Sequence, residues 1–160
     1  ESASRHPERV AALTLIAGAM TIPVNDALID MSQSAPEKAF RMMTSWGHGP
    51  GAHKFDNTQP GHAFLGYGRR VMAQNDGAAL HADLVACNSY DGGKDAAASV
   101  TQPSLCLLAG KDRMTPVKFG RKMAEGISGA ECHVFERAGH FLPAEFPIEV
   151  NNAMAAFLSR

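Results

Sequence analysis

The chain has no apolar stretch near the ~20 residues needed to cross a bilayer. The longest, over 10–20, is interrupted by Thr14 and Gly18 and suits a buried strand, so no membrane association is expected. Nor is there a large excess of one charge. The formal net charge is −1 and no basic stripe occurs, which argues against nucleic acid or an anionic surface as a partner. Cysteine is scarce. Cys87, Cys106 and Cys132 have no metal-ligand spacing. Each is a candidate buried hydrophobe, and their odd number speaks against a disulfide framework and for a reducing, cytoplasmic setting. An initiating methionine is also absent. The opening Glu-Ser-Ala-Ser-Arg-His-Pro reads as the end of a helix stopped before Pro7, so the chain is expected to start inside an element, downstream of further sequence.

What is present is ordinary globular composition. Apolar residues are 45% and charged residues 19% of 160 positions, enough for one domain with a real core. Residues 10–17 and Ser104–Ala109 are short, continuous apolar runs ending at Gly18 and Gly110. Continuous rather than alternating hydrophobicity predicts strands covered on both faces, as in a parallel sheet. Glu131–Phe135 is a third, more polar candidate. Between the last two, Thr115 is placed to cap a helix, with Pro116 in its first turn. Phe119, Met123 and Ile127 form its apolar stripe, and Gly126 and Gly129 mark its end. A final helix is expected over 144–158, with Phe146, Val150, Met154 and Phe157 on one face. Strand, helix, strand, helix in this order predicts an α/β fold of about three parallel strands with flanking helices.

The middle differs. Candidate helices cover 24–31, 36–46, 62–74 and Gly77–Ser89, with a Gly/Pro-punctuated loop over 47–60 and a small, polar return linker over 91–98. A helical insertion between two sheet strands reads as a lid. The expected organisation is a core of 1–20 and 101–160 with a helical cap over 21–100.

Two loops carry candidate chemistry. Gly-Lys-Asp-Arg-Met-Thr-Pro (110–116) follows one buried strand, and Ala-Gly-His-Phe-Leu-Pro-Ala-Glu-Phe-Pro (138–147) follows the next. Right-handed crossovers put both at one edge of the sheet, where such folds bind ligands. Asp112 and His140 thus meet as a carboxylate beside an imidazole. A histidine acting as general base becomes a cation in the transition state, and a partly buried carboxylate fixes its tautomer and stabilises that charge.

The pattern strand–G-x-D-x-x-x-P–helix–strand–G-H-x-x-x-x-E-x-P closely resembles the C-terminal part of the α/β-hydrolase fold family. Gly110, Asp112 and Pro116 match its acid loop, and Gly139, His140, Glu145 and Pro147 its histidine loop. Residues 3–10 resemble the end of the helix that follows the nucleophile elbow, and the middle helices stand where the family's variable cap stands. Family order is nucleophile, acid, histidine. No G-x-S-x-G occurs, so the resemblance implies a nucleophile about ten residues upstream of Glu1, in a missing N-terminal half of the fold. It implies a cofactor-independent hydrolase acting on a small molecule through an ester or related acyl bond, with C–C, epoxide or haloalkane hydrolysis open as alternatives. A non-catalytic ligand-binding relative is the reading from another class; a Ser, Asp or Cys within an upstream elbow would separate the two. The isolated chain is expected to be inactive and to expose its first strand as a sheet edge.

The remaining candidates have bland readings beside them. Met114, Phe141 and Leu142 flank the pair and are candidate pocket residues, though core packing suits them nearly as well. Met42, Met43 and Trp46 lie on a predicted helix where an apolar stripe more often means packing than substrate contact. Glu145 is expected near a helix start, stabilised by the dipole. His48, His53 and Asp56 share one loop without a rigid element to fix a ligand geometry, so no metal or other cofactor is expected.

Overall fold

The computed structural model describes residues 1–55 and 63–160. The order is α1 (Ser2–Arg5), a 3₁₀ turn (Pro7–Arg9), β1 (Leu13–Ile16), α2 (Asp26–Ser34), α3 (Pro36–Gly47), α4 (Pro50–Phe55), α5 (Phe64–Met72), α6 (Gly77–Ser89), α7 (Gly93–Ala98), β2 (Ser104–Ala109), α8 (Val117–Gly126), β3 (Glu131–Phe135), α9 (Leu142–Glu145) and α10 (Pro147–Leu158). The strands form one parallel sheet in the order β1-β2-β3. Leu15 lies opposite Cys106, and Cys106 opposite Cys132.

The unbroken apolar run of β2 follows from its central place. Cys106 and Leu108 face Met123, Ala124 and Ile127 of the α8 segment, together with Ala97 and Val100. Leu105, Leu107 and Ala109 face Leu142, Val150 and Phe157 on the opposite side. All six residues of β2 are buried. The edge strand β3 is more polar because part of it meets solvent. Helices α2, α3 and α6 close a separate cluster around Leu28, Ala39, Phe40, Leu80 and Leu84. The side chains of Asn25 and Asp76 start α2 and α6 by accepting the N–H groups of Ala27 and Ala78, at 2.8 and 2.9 Å.

Several expectations need correction. The 91–98 linker contains helix α7, because Ala97 has a partner surface beneath the sheet. The 47–60 loop contains α4, which begins at Pro50; residues 56–60 of that loop, and His62 of the predicted 62–74 helix, lie outside the described residues. The helix predicted over 144–158 is split. Phe146 leaves helical geometry (φ −134°, ψ 56°) before Pro147 starts α10, as the residue preceding proline tends to do. Thr115 does not cap α8, whose N-terminal boundary is Pro116 without any side-chain cap. Of the cysteines only Cys106 is buried; Cys87 is half-buried and Cys132 exposed.

Candidate active site

Asp112 leaves the sheet three residues after β2, and His140 five residues after β3. The crossover through α8 brings the two loops together, and Lys111 N–H donates to Ala138 O at 2.8 Å between them. His140 Nδ1 stands 2.9 Å from Asp112 Oδ2. The Asp112 side chain is 1% exposed and that of His140 30%, so the acid is sealed while the imidazole remains reachable. Nδ1 donates to the carboxylate, which leaves the neutral ring's lone pair on Nε2.

The carboxylate is held from several sides. Oδ1 accepts the N–H groups of Met114 and Thr115, both at 2.8 Å. The Thr115 hydroxyl lies 2.8 Å from Oδ2 and 2.6 Å from the carbonyl of Ala17. It has one proton for the two acceptors. Ala17 follows β1 at φ +47°, a conformation uncommon for a residue with a side chain, and this turn aims its carbonyl at Thr115. Burial alone would raise the Asp112 carboxyl. The hydrogen bond and charge of His140, with the Thr115 N–H and hydroxyl, outweigh it and hold the group below the usual carboxylate value. Asp112 therefore stays ionised, as an acid that orients a base must.

Thr115 was read from the sequence as a helix cap and is instead part of the site. A hydroxyl three residues after the acid, in a loop too short to turn it away, was the available signal. Glu145 does lie in the first turn of a helix, the four-residue α9. It is 5% exposed and accepts backbone N–H groups from Gly49 at 2.9 Å and Gly139 at 3.1 Å. Burial raises its pKa, and these two donors offset that only in part.

A cleft of about 390 Å³ opens beside the imidazole, within the range of small-molecule sites. His140, Met114, Met43 and Trp46 all line it, with Leu28, Leu80 and Leu84 among its apolar walls. Arg113 stands 6.0 Å from the Trp46 ring at the same cleft. Two expected pocket residues lie elsewhere. Leu142 is fully buried under the sheet, because α9 turns it inward. Phe141 faces a smaller recess against His48, their rings 4.7 Å apart. Met42 packs against the α2–α3–α6 cluster and is not among the cleft residues. His48 Nδ1 bonds the Thr44 carbonyl and His53 Nε2 that of Ser45; Asp56 lies outside the described residues. Among the described residues, no group of three His, Cys, Asp or Glu is placed to hold a metal ion.

Solved structures share this fold. An enol-lactonase from Burkholderia xenovorans LB400 superposes with a TM-score of 0.86 over 99% of this chain and 60% of that one, at 18% identity. A thermophilic esterase gives 0.80 over 98% and 59%, at 24% identity. The fold is that of the α/β-hydrolases. In sequence, the chain is 32% identical over 62 residues to a 2-hydroxy-6-oxononadienedioate/2-hydroxy-6-oxononatrienedioate hydrolase from Pseudomonas sp. It is 33% identical over 60 residues to hydrolase 1 of the same name from Dechloromonas aromatica. These matches cover 39% and 38% of this chain and 22% and 21% of the relatives. No family model matches the chain. The chain thus spans about 60% of these α/β-hydrolase structures. No helix among the described residues is long and apolar enough to cross a membrane.

Proposed function

We propose that this chain is the acid–base portion of a hydrolase that cleaves an ester or related acyl bond in a small molecule. The carrying observation is the His140 Nδ1–Asp112 Oδ2 contact at 2.9 Å, with the acid buried and the imidazole lining the cleft. In this reading His140 Nε2 takes the proton of a nucleophile as its oxygen attacks the carbonyl carbon. It returns that proton to the departing alkoxide, then takes one from the water that hydrolyses the acyl intermediate, and finally restores the nucleophile. Asp112 stays ionised throughout and holds the ring's orientation. The nucleophile comes from outside these 160 residues. Among the described residues, Thr115 is the hydroxyl bonded to the pair, and it meets Nδ1, the wrong nitrogen, at 3.3 Å while bonded to Ala17.

Helices α2–α6 act as the cap, and the apolar cleft beneath them takes the body of the substrate. The three free cysteines fit a reducing, cytoplasmic location. C–C bond hydrolysis is the second reading, favoured because the sequence relatives carry the name of such substrates. The same base and acid serve both.

The chain alone should turn over p-nitrophenyl butyrate no faster than its His140→Ala variant. A longer protein that includes the sequence before Glu1 should hydrolyse it. In that protein His140→Ala and Asp112→Asn should each lower kcat/KM by about 10²–10⁴-fold, the usual worth of general acid–base catalysis. Turnover that survives His140→Ala sinks the assignment. A 2-hydroxy-6-oxo-dienoate cleaved faster than the ester would favour the second reading.

A further inference from the structure

The segment that ends α3 and the segment that carries His140 are stitched together on both sides of the histidine. Phe141 N–H donates to Gly47 O at 3.0 Å. Gly139 N–H donates to Glu145 Oε1 at 3.1 Å, and Gly49 N–H donates to Oε2 of the same carboxylate at 2.9 Å. The backbones approach so closely that no side chain fits between them. A Cβ on Gly139 would lie 2.2 Å from Gly49 N, and one on Gly49 would lie 2.6 Å from Glu145 Oε2. The residue before His140 and the residue after it are therefore both tied to residues 47–49.

We infer that Glu145 is a positioning residue for His140: its carboxylate joins the Gly139 and Gly49 amides, so that docking of the α3 end sets where the imidazole meets Asp112. The inference rests on reading His140 as the general base. The chemistry suits the task. A carboxylate offers acceptors only, and here both oxygens face backbone donors in a buried place. A glutamine would turn an NH₂ toward one of those N–H groups and leave a buried donor unpaired. The bond from Gly139 acts one peptide away from the base, so its loss reaches the ring without touching Asp112 itself.

The Nδ1–H proton of His140 reports the contact directly, without any nucleophile. It should be visible by NMR in the ¹⁵N-labelled 160-residue chain and disappear in Asp112→Asn, which fixes the assignment. In Glu145→Gln the chain should still unfold cooperatively. The Nδ1–H proton and the Gly139 and Gly49 amides should exchange at least about tenfold faster, the effect of losing a hydrogen bond to a charged acceptor. Glu145→Asp, shorter by one carbon, should show the same loosening if the Gln variant is unfolded. An unchanged Nδ1–H proton in a folded variant overturns the inference, leaving Glu145 a fastening for α3 alone. Failure of both variants to fold also overturns it, by assigning Glu145 to stability. Neither result touches the hydrolase reading, which falls instead if His140→Ala leaves hydrolysis intact.

Discussion

Asp112 is the residue with the most to lose from acid. Its folded-state carboxyl titrates below the ordinary value of about 3.9. A depressed acid contributes stability that is fully present above the unfolded value and is lost as pH falls through the lower folded value. Glu145 works the other way: its raised value favours the protonated form in the fold, a benefit lost as pH rises through the folded value. The two are separated by substitution. Urea unfolding of the wild type and Asp112→Asn should differ most above about pH 5, with the gap closing below about pH 4. A gap constant from pH 7 to pH 3 would show that Asp112 is not held as described. Asp112 and His140 were legible in the sequence because each follows a strand at the edge where crossovers converge. Thr115 was not, since a threonine before proline at a helix start looks like a cap whether or not its hydroxyl is used elsewhere.

Elements were legible where their partner surface lies nearby in the chain. β2, β3 and α6 fall where the apolar pattern and punctuation put them. α4 and α7 were not legible: both are short, rich in small residues, and weak helices by periodicity alone. The break at Phe146 is local chemistry that the apolar stripe of Phe146, Val150, Met154 and Phe157 concealed, because the stripe continues through it. Glycines separate the two kinds of element. At Gly139 an added methyl would collide with Gly49 N, and its neighbours are backbone that cannot step aside. Gly139→Ala should cost at least about 2 kcal/mol of unfolding free energy, in the range of forced overpacking. At Gly51 in α4 nothing lies within 4 Å of the added carbon. Gly51→Ala should be neutral or stabilising by up to about 1 kcal/mol. Chemical denaturation of the two variants side by side tests the contrast. Equal effects would mean that the α3 end and the histidine loop do not meet as closely as described.

At the scale of the molecule, one core on each face of the sheet and one among the helices leave a space where they meet the strand ends. That space is the cleft, and its position follows from topology: the insertion between β1 and β2 must lie over the edge from which both strand-end loops project. The sequence implied the layer but not which of its residues face the cleft, since Met42 and Met43 are neighbours on one helix and only Met43 lines it. Trp46 is the single tryptophan of the chain and lies on the cleft wall, so occupancy should be visible without catalysis. An uncharged amphiphile such as 4-phenylbutanol should shift Trp46 emission saturably. Met114 is half-buried beside His140 at the same cleft. Met114→Glu would place a charge among apolar walls and should weaken binding at least about tenfold, because the ligand would then have to bury that carboxylate. Circular dichroism of the variant would establish that its fold is intact. A shift of equal affinity in wild type and variant would place the ligand elsewhere, and the cleft beside the imidazole would lose its claim to be the substrate site.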